Sequence, residues 1–285
     1  MTSATIPPTG LNASGQPRGL AAIANVPAPP EKPLTDRLWD LMVWGGVALL
    51  LIVSFAPAEL FKVPLLFSNS ENMQTFTSRL LNPDFSQWRT YVEGMWLTVQ
   101  IAVWGTFLAV VLAVPFGFLC ASNVAPSWIV WPMRRLMDIL RSVNELVLGL
   151  IFIVAVGLGP LAGVLAIALH TAGVLAKLFS EAVEAADPRP VEGVRATGGA
   201  KLHEIMWGVL PQVAPLWTSY ALYRFESNSR SATVLGLIGA GGIGLMLIES
   251  MNGFKYEQTA AIGIIIVVAV TLIDMLSQAM RSRLL

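Results

Sequence analysis

The chain has 285 residues, of which 55% are hydrophobic and 13% charged, and its formal net charge at pH 7 is zero. A mean hydropathy of +0.66 and long uncharged runs are typical of an all-α integral membrane protein. The balanced charge gives no case for nucleic-acid binding, and a single cysteine, Cys120, excludes an intrachain disulfide framework and a cysteine-based metal cluster.

The N-terminal part of the chain predicts a tail and one membrane span. Residues 1–36 are rich in Pro, Gly, Ala, Ser and Thr without apolar periodicity, which predicts a flexible cytoplasmic tail. They lack the basic region and short apolar core of a removable signal peptide. Residues 37–90 predict the first span, from about Trp39 to Phe55, followed by an extracytoplasmic segment over 57–90 that prolines interrupt.

The remaining residues, 91–285, predict the transmembrane domain. Its apolar runs predict spans at about 91–119, 143–156, 161–179, 213–237 and 259–278, which makes about six transmembrane helices with the first. Before residue 143, charged side chains from Arg134 to Arg141 recur at helical spacing beside apolar ones, which predicts an amphipathic helix at the cytoplasmic interface. The span 143–156 is short for a crossing unless it includes the turns before it.

A charged, glycine-punctuated island, residues 191–212, lies between two of these spans. Glu192 begins a short amphipathic run, and Gly198-Gly199 break that run. A second helical piece, Ala200 to Val209, is expected to stop at Leu210-Pro211, because proline cannot continue the preceding helix. The sequence therefore predicts a helix, a sharp glycine turn and a second helix.

That layout resembles the coupling loop of ABC importer permeases, in which Glu-Ala-Ala is followed at fixed spacing by Gly and by Leu-Pro. The spacing matches, but Gly193 and Val194 replace the two alanines and Gly208 replaces an apolar residue. A literal Glu-Ala-Ala at 184–186 lies too far upstream and is interpreted as the end of the preceding span. The resemblance implies that the residues contacting an ATPase are Glu192, Gly193, Val194, Arg195, Gly198, Leu210 and Pro211. The alternative is a solvated interspan loop without a partner.

The distribution of basic residues predicts the orientation. With the N-terminus inside, the opposite side carries only Lys62, Arg79, Arg89 and Lys255. The cytoplasmic side carries Arg18, Lys32, Arg37, Arg134, Arg135, Arg141, Lys177, Arg189, Arg195, Lys201, Arg281 and Arg283. This bias places both termini and residues 191–212 in the cytoplasm.

The fifth predicted span carries polar groups at membrane depth, where a charge facing lipid costs about 2.5–3.5 kcal/mol. Arg224, Asn228 and Ser231 share one helical face, and Glu226 precedes Arg230 at the i, i+4 spacing that favours an ion pair. Arginines suit a path for an oxyanion, which accepts paired hydrogen bonds from the guanidinium. The alternative is a structural polar network between subunits. The candidate pathway residues are Arg224, Glu226, Asn228, Arg230, Ser231 and, in the fourth span, His170.

Residues 239–244 formally satisfy the pattern GxGxxG. A dinucleotide fold needs a preceding strand and a downstream acidic residue, whereas here the flanking runs are apolar helices. The glycines instead predict a broken or closely packed backbone at a span end.

The segments 149–163, 168–184, 195–198, 208–213 and 223–244 together are similar to the permease subunit of phosphonate ABC importers, over roughly 90–283. The resemblance implies a type I ABC importer permease core in the bacterial inner membrane and a homodimer. It also implies two cytosolic ATPase subunits that bind ATP and Mg, and an extracytoplasmic binding protein. It implies no catalytic residue, metal or cofactor in this chain. The cargo would be phosphonate, phosphite, hypophosphite or a phosphate ester.

Other classes of protein explain the sequence less well. A gradient-driven secondary transporter of a small anion would use the charged groups of the fifth span, but would not need the spacing at 191–212. A membrane enzyme would need a catalytic set, and no HExxH motif or nucleophile elbow occurs. Composition is also compatible with a channel, but a pumped substrate explains the cytosolic loop better.

Overall fold

The computed structural model describes residues 34–65 and 70–283, and the predicted tail lies outside them except for its last residues, 34–36. All regular structure in these residues is helical. The chain divides at residue 70 into an N-terminal unit and a larger unit that contains all the candidate site residues.

The described part of the N-terminal unit, residues 34–65, contains one long helix, α1, Leu34–Phe55. Residues 34–36 of the predicted tail therefore already belong to a helix. The large apolar side chains of α1 are exposed along its length, as a helix surrounded by lipid requires. A single 3₁₀ turn, Leu60–Lys62, follows it.

The larger unit contains ten α-helices among the described residues. They are α2 Ser70–Leu80, α3 Trp88–Leu119, α4 Ser127–Ser142, α5 Glu145–Val156, α6 Pro160–Glu184, α7 Pro188–Ala196, α8 Lys201–His203, α9 Leu210–Leu235, α10 Ile243–Asn252 and α11 Tyr256–Arg281. Wider π-type turns at Glu204–Val209 and Gly236–Ala240 extend α9 in both directions.

Local sequence sets several of the helix ends. The side chain of Asn144 accepts a hydrogen bond from the backbone N–H of Leu146 and so caps α5. Asp187 caps α7 in the same way through Arg189 N–H. Gly157, with φ +88°, ends α5 in a conformation that favours glycine.

The core of the larger unit is the close contact between α3 and α6. A Cβ atom at Gly105 would lie 2.7 Å from Ile167 Cγ2, and one at Gly117 would lie 2.7 Å from Phe179 Cβ. Such small residues let two membrane helices approach closely enough for backbone packing. The Phe179 ring in turn stacks on Trp217 with 4.3 Å between ring centroids, which attaches α9 to the pair.

Four described helices are long and apolar enough to cross a membrane: Leu38–Phe55 within α1, and α3, α6 and α11. Two bent pairs raise the number to six if each pair is one span: α4 with α5, bent by 89°, and Lys201–Ala240 with α10, bent by 57°. The prediction of about six spans is thus confirmed as four to six by length and composition.

The details differ from the predictions in three places. The 89° bend means that α5 does not extend backwards into α4, so this arm is only 12 residues long. Helix α2 lies inside the segment that was predicted from its prolines to be an extracytoplasmic connection. Helix α10 was not predicted, because the glycines before it dominate the local pattern.

Candidate functional site

The predicted coupling loop folds as a helical hairpin, which we call the coupling segment, residues 187–212. Its first arm is α7, and its second arm begins with α8. Between them Gly198 adopts φ +81°, the left-handed conformation that makes the sharp turn. The predicted helix, glycine turn and second helix are therefore present.

Two sets of hydrogen bonds hold the hairpin closed. Near its tip, Arg195 Nε and Nη2 donate to Glu204 Oε1 and Oε2 at 2.8 and 3.0 Å. At its base, Gln212 Oε1 accepts from Asp187 N–H at 3.0 Å, while Gln212 Nε2 donates to the Asp187 carbonyl at 3.1 Å. The Glu204 hydrogen bond raises the pKa of Arg195. A paired guanidinium and carboxylate fix direction as well as distance, so the two arms are held in one relative position.

The glycine that replaces an apolar residue has a clear structural role. A Cβ atom at Gly208 would lie 2.9 Å from Val191 Cα, closer than two non-bonded carbon atoms approach. The absence of a side chain therefore lets the backbone of α7 lie directly on the second arm.

The prediction that the second arm stops at Leu210-Pro211 is wrong, because the helix continues through Pro211 and leaves helical geometry at Gly239. Pro211 lies in the first turn of α9, immediately after the π-type turn Glu204–Val209. A wider turn removes the clash of the proline ring with the carbonyl four residues earlier. In the first turn of a helix, the N–H that proline lacks is not needed for a hydrogen bond within that helix. The coupling segment and α9 are thus one continuous helix.

The coupling segment presents a largely exposed surface. No residue of α7 is buried, and the apolar side chains of Leu202, Met206 and Trp207 are 50–71% exposed. A cleft of about 250 Å³ lies between the two arms and the turn after α3, where Glu192 and Arg195 form part of its wall. Exposed apolar groups beside a charged cleft are typical of a protein-binding surface.

The literal Glu-Ala-Ala has a different role, as predicted, at the end of α6. Ser122 donates to Glu184 Oε1 through both its backbone N–H and its hydroxyl, at 2.7 and 2.6 Å. Arg134 of α4 forms an ion pair with the same carboxylate. Glu184 therefore holds the turn between α3 and α4 against α6, next to the coupling segment.

One set of the predicted pathway residues gathers around Glu145, at the beginning of α5. Ser231 Oγ donates to Glu145 Oε1 at 2.6 Å, and His170 Nε2 lies 3.5 Å from Glu145 Oε2. The other ring nitrogen, Nδ1, lies 2.9 Å from the carbonyl of Val143, which can only accept, so Nδ1 carries a proton. Arg224 lies nearby, and its buried Nε finds no hydrogen-bond partner among the described residues.

Glu145 and Ser231 of this group border a cavity of about 280 Å³, which we call the α5–α9 cavity. Its wall is formed by Asn144, Glu145, Leu146, Ser227, Arg230, Ser231 and Val234. Glu145 was not among the predicted pathway residues. Its position as the common partner of His170 and Ser231 depends on contacts distant in sequence.

The predicted ion pair between Glu226 and Arg230 is present, at 3.4 Å, and belongs to a larger network. Arg281 Nη2 donates to Glu226 Oε2 at 2.9 Å, and Arg230 Nη1 donates to Asp274 Oδ1 at 3.1 Å. Two guanidinium groups thus face two carboxylates, which joins α9 to the end of α11. Asp274 and Arg281 were not predicted as members of this network, since their partners lie more than 40 residues away in sequence.

Asn228 lies apart from these groups, in the packed interior. Its Nδ2 donates to Thr106 Oγ1 at 2.8 Å, and its Oδ1 accepts from Thr171 Oγ1 at 3.0 Å. The side chain is 2% exposed, so the structure places it as a link between α3, α6 and α9, outside the α5–α9 cavity.

The glycine pattern at 239–244 forms the break between α9 and α10, as predicted. Gly239, Gly241 and Gly242 all have positive φ, and Ile243 N–H donates to Thr98 Oγ1 at 2.9 Å. The described part of the chain has no strand before this pattern, so it lacks the context of a dinucleotide site. Nor do any three described His, Cys, Asp or Glu side chains form a group that could hold a metal ion.

Residues 113–285 match the family described as binding-protein-dependent transport system inner membrane component. The chain belongs to this family. The permease therefore is a multi-pass transport component of the inner membrane, and membership does not favour the gradient-driven alternative.

Relatives and solved structures support the assignment. The permease is 41% identical over 217 residues to the phosphite transport system permease protein PtxC of Stutzerimonas stutzeri, covering 76% of this chain and 79% of that protein. It is 37% identical over 261 residues to the phosphate-import permease protein PhnE of Mycolicibacterium smegmatis, covering 89% of this chain and 48% of that protein.

A chain of the inward-facing MetNI methionine ABC transporter has the same fold, with a TM-score of 0.62 at 19% identity. The match covers 71% of this chain and 99% of that chain.

Proposed function

We propose that the chain is the permease subunit of an ATP-driven importer for a phosphonate, phosphite or related phosphorus oxyanion. Supporting this cargo, several relatives are named as phosphonate or phosphite transport system permeases. The partners would be a second copy of the chain, two cytosolic ATPases that bind ATP and Mg, and an extracytoplasmic binding protein. The coupling segment and both termini would face the cytoplasm.

The observation that carries the proposal is the continuous helix over residues 201–238, which leaves helical geometry at Gly239. It extends over roughly 55 Å. One end belongs to the coupling segment, and the other part carries Arg224, Arg230 and Ser231. A force applied to the hairpin would move these polar groups directly, because no flexible joint separates them.

The hairpin suits this transmission because its arms are fixed to each other. The Arg195–Glu204 pair and the Gln212–Asp187 bonds resist opening when a partner pushes on α7. A helix of nine residues is not stable alone in water, so α7 depends on these contacts. ATP-driven closure of the ATPases would then shift the equilibrium between inward-open and outward-open states by differential binding.

The α5–α9 cavity suits an anion on its way through the membrane. Arg230 forms part of its wall, and Arg224 carries a buried N–H without a partner near Glu145. The Ser231 hydroxyl, which donates to Glu145 in this structure, can rotate to donate to a phosphorus-bound oxygen. In this proposal Arg224 and Ser231 contact the cargo, and the Glu226–Arg230–Asp274–Arg281 network holds α9 against α11.

The test is uptake by cells in which the gene for this chain is deleted and then restored. Growth on phosphite or methylphosphonate as sole phosphorus source should return with the natural chain and not with a variant carrying both Glu192→Ala and Arg195→Ala. The ATPase should co-purify with the natural chain and be lost from the variant. Lys177→Ala, on α6 outside the coupling segment, serves as the control.

The energy source is tested in membrane vesicles. Uptake should require ATP and persist when a protonophore dissipates the proton gradient. Uptake that continues without ATP and stops with the protonophore would contradict the proposal. Equal growth of all strains on every phosphorus source would contradict the assigned cargo.

A further inference from the structure

A second polar pocket lies at the far end of the larger unit from the coupling segment. It has a volume of about 250 Å³ and lies between the first turns of α3, the end of α10 and the beginning of α11. Helix α3 separates the two ends: its C-terminal side leads to the coupling segment, and its N-terminal side begins at this pocket. We call it the outer pocket; its wall is formed by Gln87, Thr90, Tyr91, Met246, Glu249, Ser250, Lys255, Gln258 and Ile262.

The outer pocket contains a polar group that no described residue satisfies. Tyr91 is 3% exposed, and its buried hydroxyl has no hydrogen-bond partner within the described residues. A buried hydroxyl without a partner is destabilising, and a bound polar ligand would supply the missing hydrogen bond. The Tyr91 hydroxyl can donate or accept, so it suits an oxyanion oxygen.

Two opposite charges in the pocket wall are also free. Neither the Lys255 ammonium nor the Glu249 carboxylate forms an ion pair in the part of the chain that the structure describes. In addition, α11 begins next to Lys255 without a side-chain cap. The first N–H groups of this 26-residue helix therefore contribute partial positive charge on the same side.

The surroundings place the outer pocket at a membrane surface. Trp88 and Phe254 are 52% and 71% exposed beside it, and aromatic side chains of this kind are enriched where lipid meets water. The Asp84 N–H donates to the Glu257 carbonyl at 2.9 Å, which holds the turn before α3 against the start of α11. The pocket is thus preformed within one unit of the chain.

We propose that the outer pocket binds a zwitterionic phosphorus compound, in which a phosphorus oxyanion is joined by a short linker to an ammonium, as in phosphoethanolamine. The oxyanion lies against Lys255, the Tyr91 hydroxyl and the start of α11, and the ammonium lies against Glu249. A simple anion would be repelled by Glu249, and a simple cation by Lys255. The volume is below the roughly 300–1,000 Å³ of pockets for drug-sized ligands, which suits a head group.

Such a group has two sources, a phosphatidylethanolamine head group from the bilayer or soluble phosphoethanolamine. Either source goes beyond the proposed function, because the outer pocket shares no wall residue with the α5–α9 cavity.

The experiment measures ligand binding to the purified full-length chain with any subunits that it retains. Native mass spectrometry compares phosphatidylethanolamine with phosphatidylglycerol, which lacks the ammonium, and calorimetry measures soluble O-phosphoethanolamine. Phosphatidylethanolamine should bind about tenfold more tightly than phosphatidylglycerol, which corresponds to about 1.4 kcal/mol. Glu249→Gln should abolish this preference.

Two further variants test the anion side. Lys255→Gln should weaken binding about tenfold, and Tyr91→Phe several-fold while leaving the packing of the ring unchanged. Tyr256→Phe is the control, because Tyr256 begins α11 but does not line the outer pocket. This variant should bind the ligand as the natural chain does.

The outcome separates the sources. Binding of phosphatidylethanolamine that phosphoethanolamine does not displace assigns the pocket to lipid, and saturable binding of phosphoethanolamine assigns it to the soluble compound. Binding of neither, or equal binding by the natural chain, Tyr91→Phe and Lys255→Gln, would overturn the proposal.

Discussion

The contact between Gly208 and Val191 gives the sharpest test of the coupling segment. In Gly208→Ala the new Cβ would lie 2.9 Å from Val191 Cα, 3.1 Å from its Cγ2 and 3.3 Å from its N. Carbon atoms pack at about 3.5–4.0 Å, so α7 must move away by roughly 0.5–1 Å. The nearest atom, Cα, belongs to the backbone, which cannot rotate aside as a flexible side chain would.

The energetic consequence follows from the same geometry. Overpacking of this kind costs about 1–3 kcal/mol, and a displacement of α7 also stretches the Arg195–Glu204 hydrogen bonds. A loss of 1–2 kcal/mol raises the population of the open hairpin by roughly 5–30-fold. Trypsin should therefore cut after Arg195 faster by about this factor in detergent-solubilised protein, and ATP-driven uptake should fall.

The matched control is Gly193→Ala on the same short helix, where no atom lies within 4 Å of the added Cβ. Alanine favours a helix over glycine by roughly 0.5–1 kcal/mol, so cleavage should be unchanged or slower. If both variants were cleaved and transported alike, the packing of α7 on the second arm would not control coupling.

Three other predictions concern single positions. Gly198 has φ +81° with open space around it, so Gly198→Val should lower uptake and speed cleavage of the hairpin. Gly198→Asn should preserve the natural rates of uptake and cleavage, since asparagine tolerates this conformation; an equal loss of uptake in the two variants would contradict the role of the backbone. Asn228→Ala removes two buried hydrogen bonds, each worth about 0.6–1.7 kcal/mol inside membrane proteins, so the Tm in detergent should drop. Asn252→Ala, at an exposed position, should leave the Tm unchanged; an unaltered Tm in Asn228→Ala would show that the hydrogen bonds to α3 and α6 do not stabilise the fold. Cys120 is 1% exposed, and burial raises the pKa of its thiol, so less thiolate exists at pH 8. A maleimide should therefore label native protein much more slowly than denatured protein, and equal labelling rates would contradict this burial.

The sequence allowed the membrane helices to be predicted because lipid imposes a simple rule on composition. A run such as 91–119 has to be apolar on all sides, so its position can be located from the hydropathy of the sequence. The glycine turn at Gly198 and the ion pair of Glu226 with Arg230 were also predicted, since both depend on neighbours within a few residues.

The remaining features depend on contacts that the linear order does not contain. Proline usually ends a helix, but at Pro211 a wider turn accommodates it, and nothing local distinguishes the two cases. Asn228 and Ser231 are close in sequence, but their side chains contact different helices. The partners of Glu145 and of Arg281 lie on other helices, so packing alone determines them.

The π-type turn at Glu204–Val209 has a consequence for how the chain tolerates length changes. Such a turn contains one residue more than an α-turn. The wider turn absorbs that surplus residue, because each of its residues rotates the chain by less than the roughly 100° of an α-helical residue. Deleting one residue there would close the turn to α geometry and leave Arg224 and Ser231 facing nearly the same neighbours. Deleting one residue of α9 between Pro211 and Arg224 would instead rotate both side chains by about 100°, so this helix tolerates a change of length at the π-type turn and not beyond it.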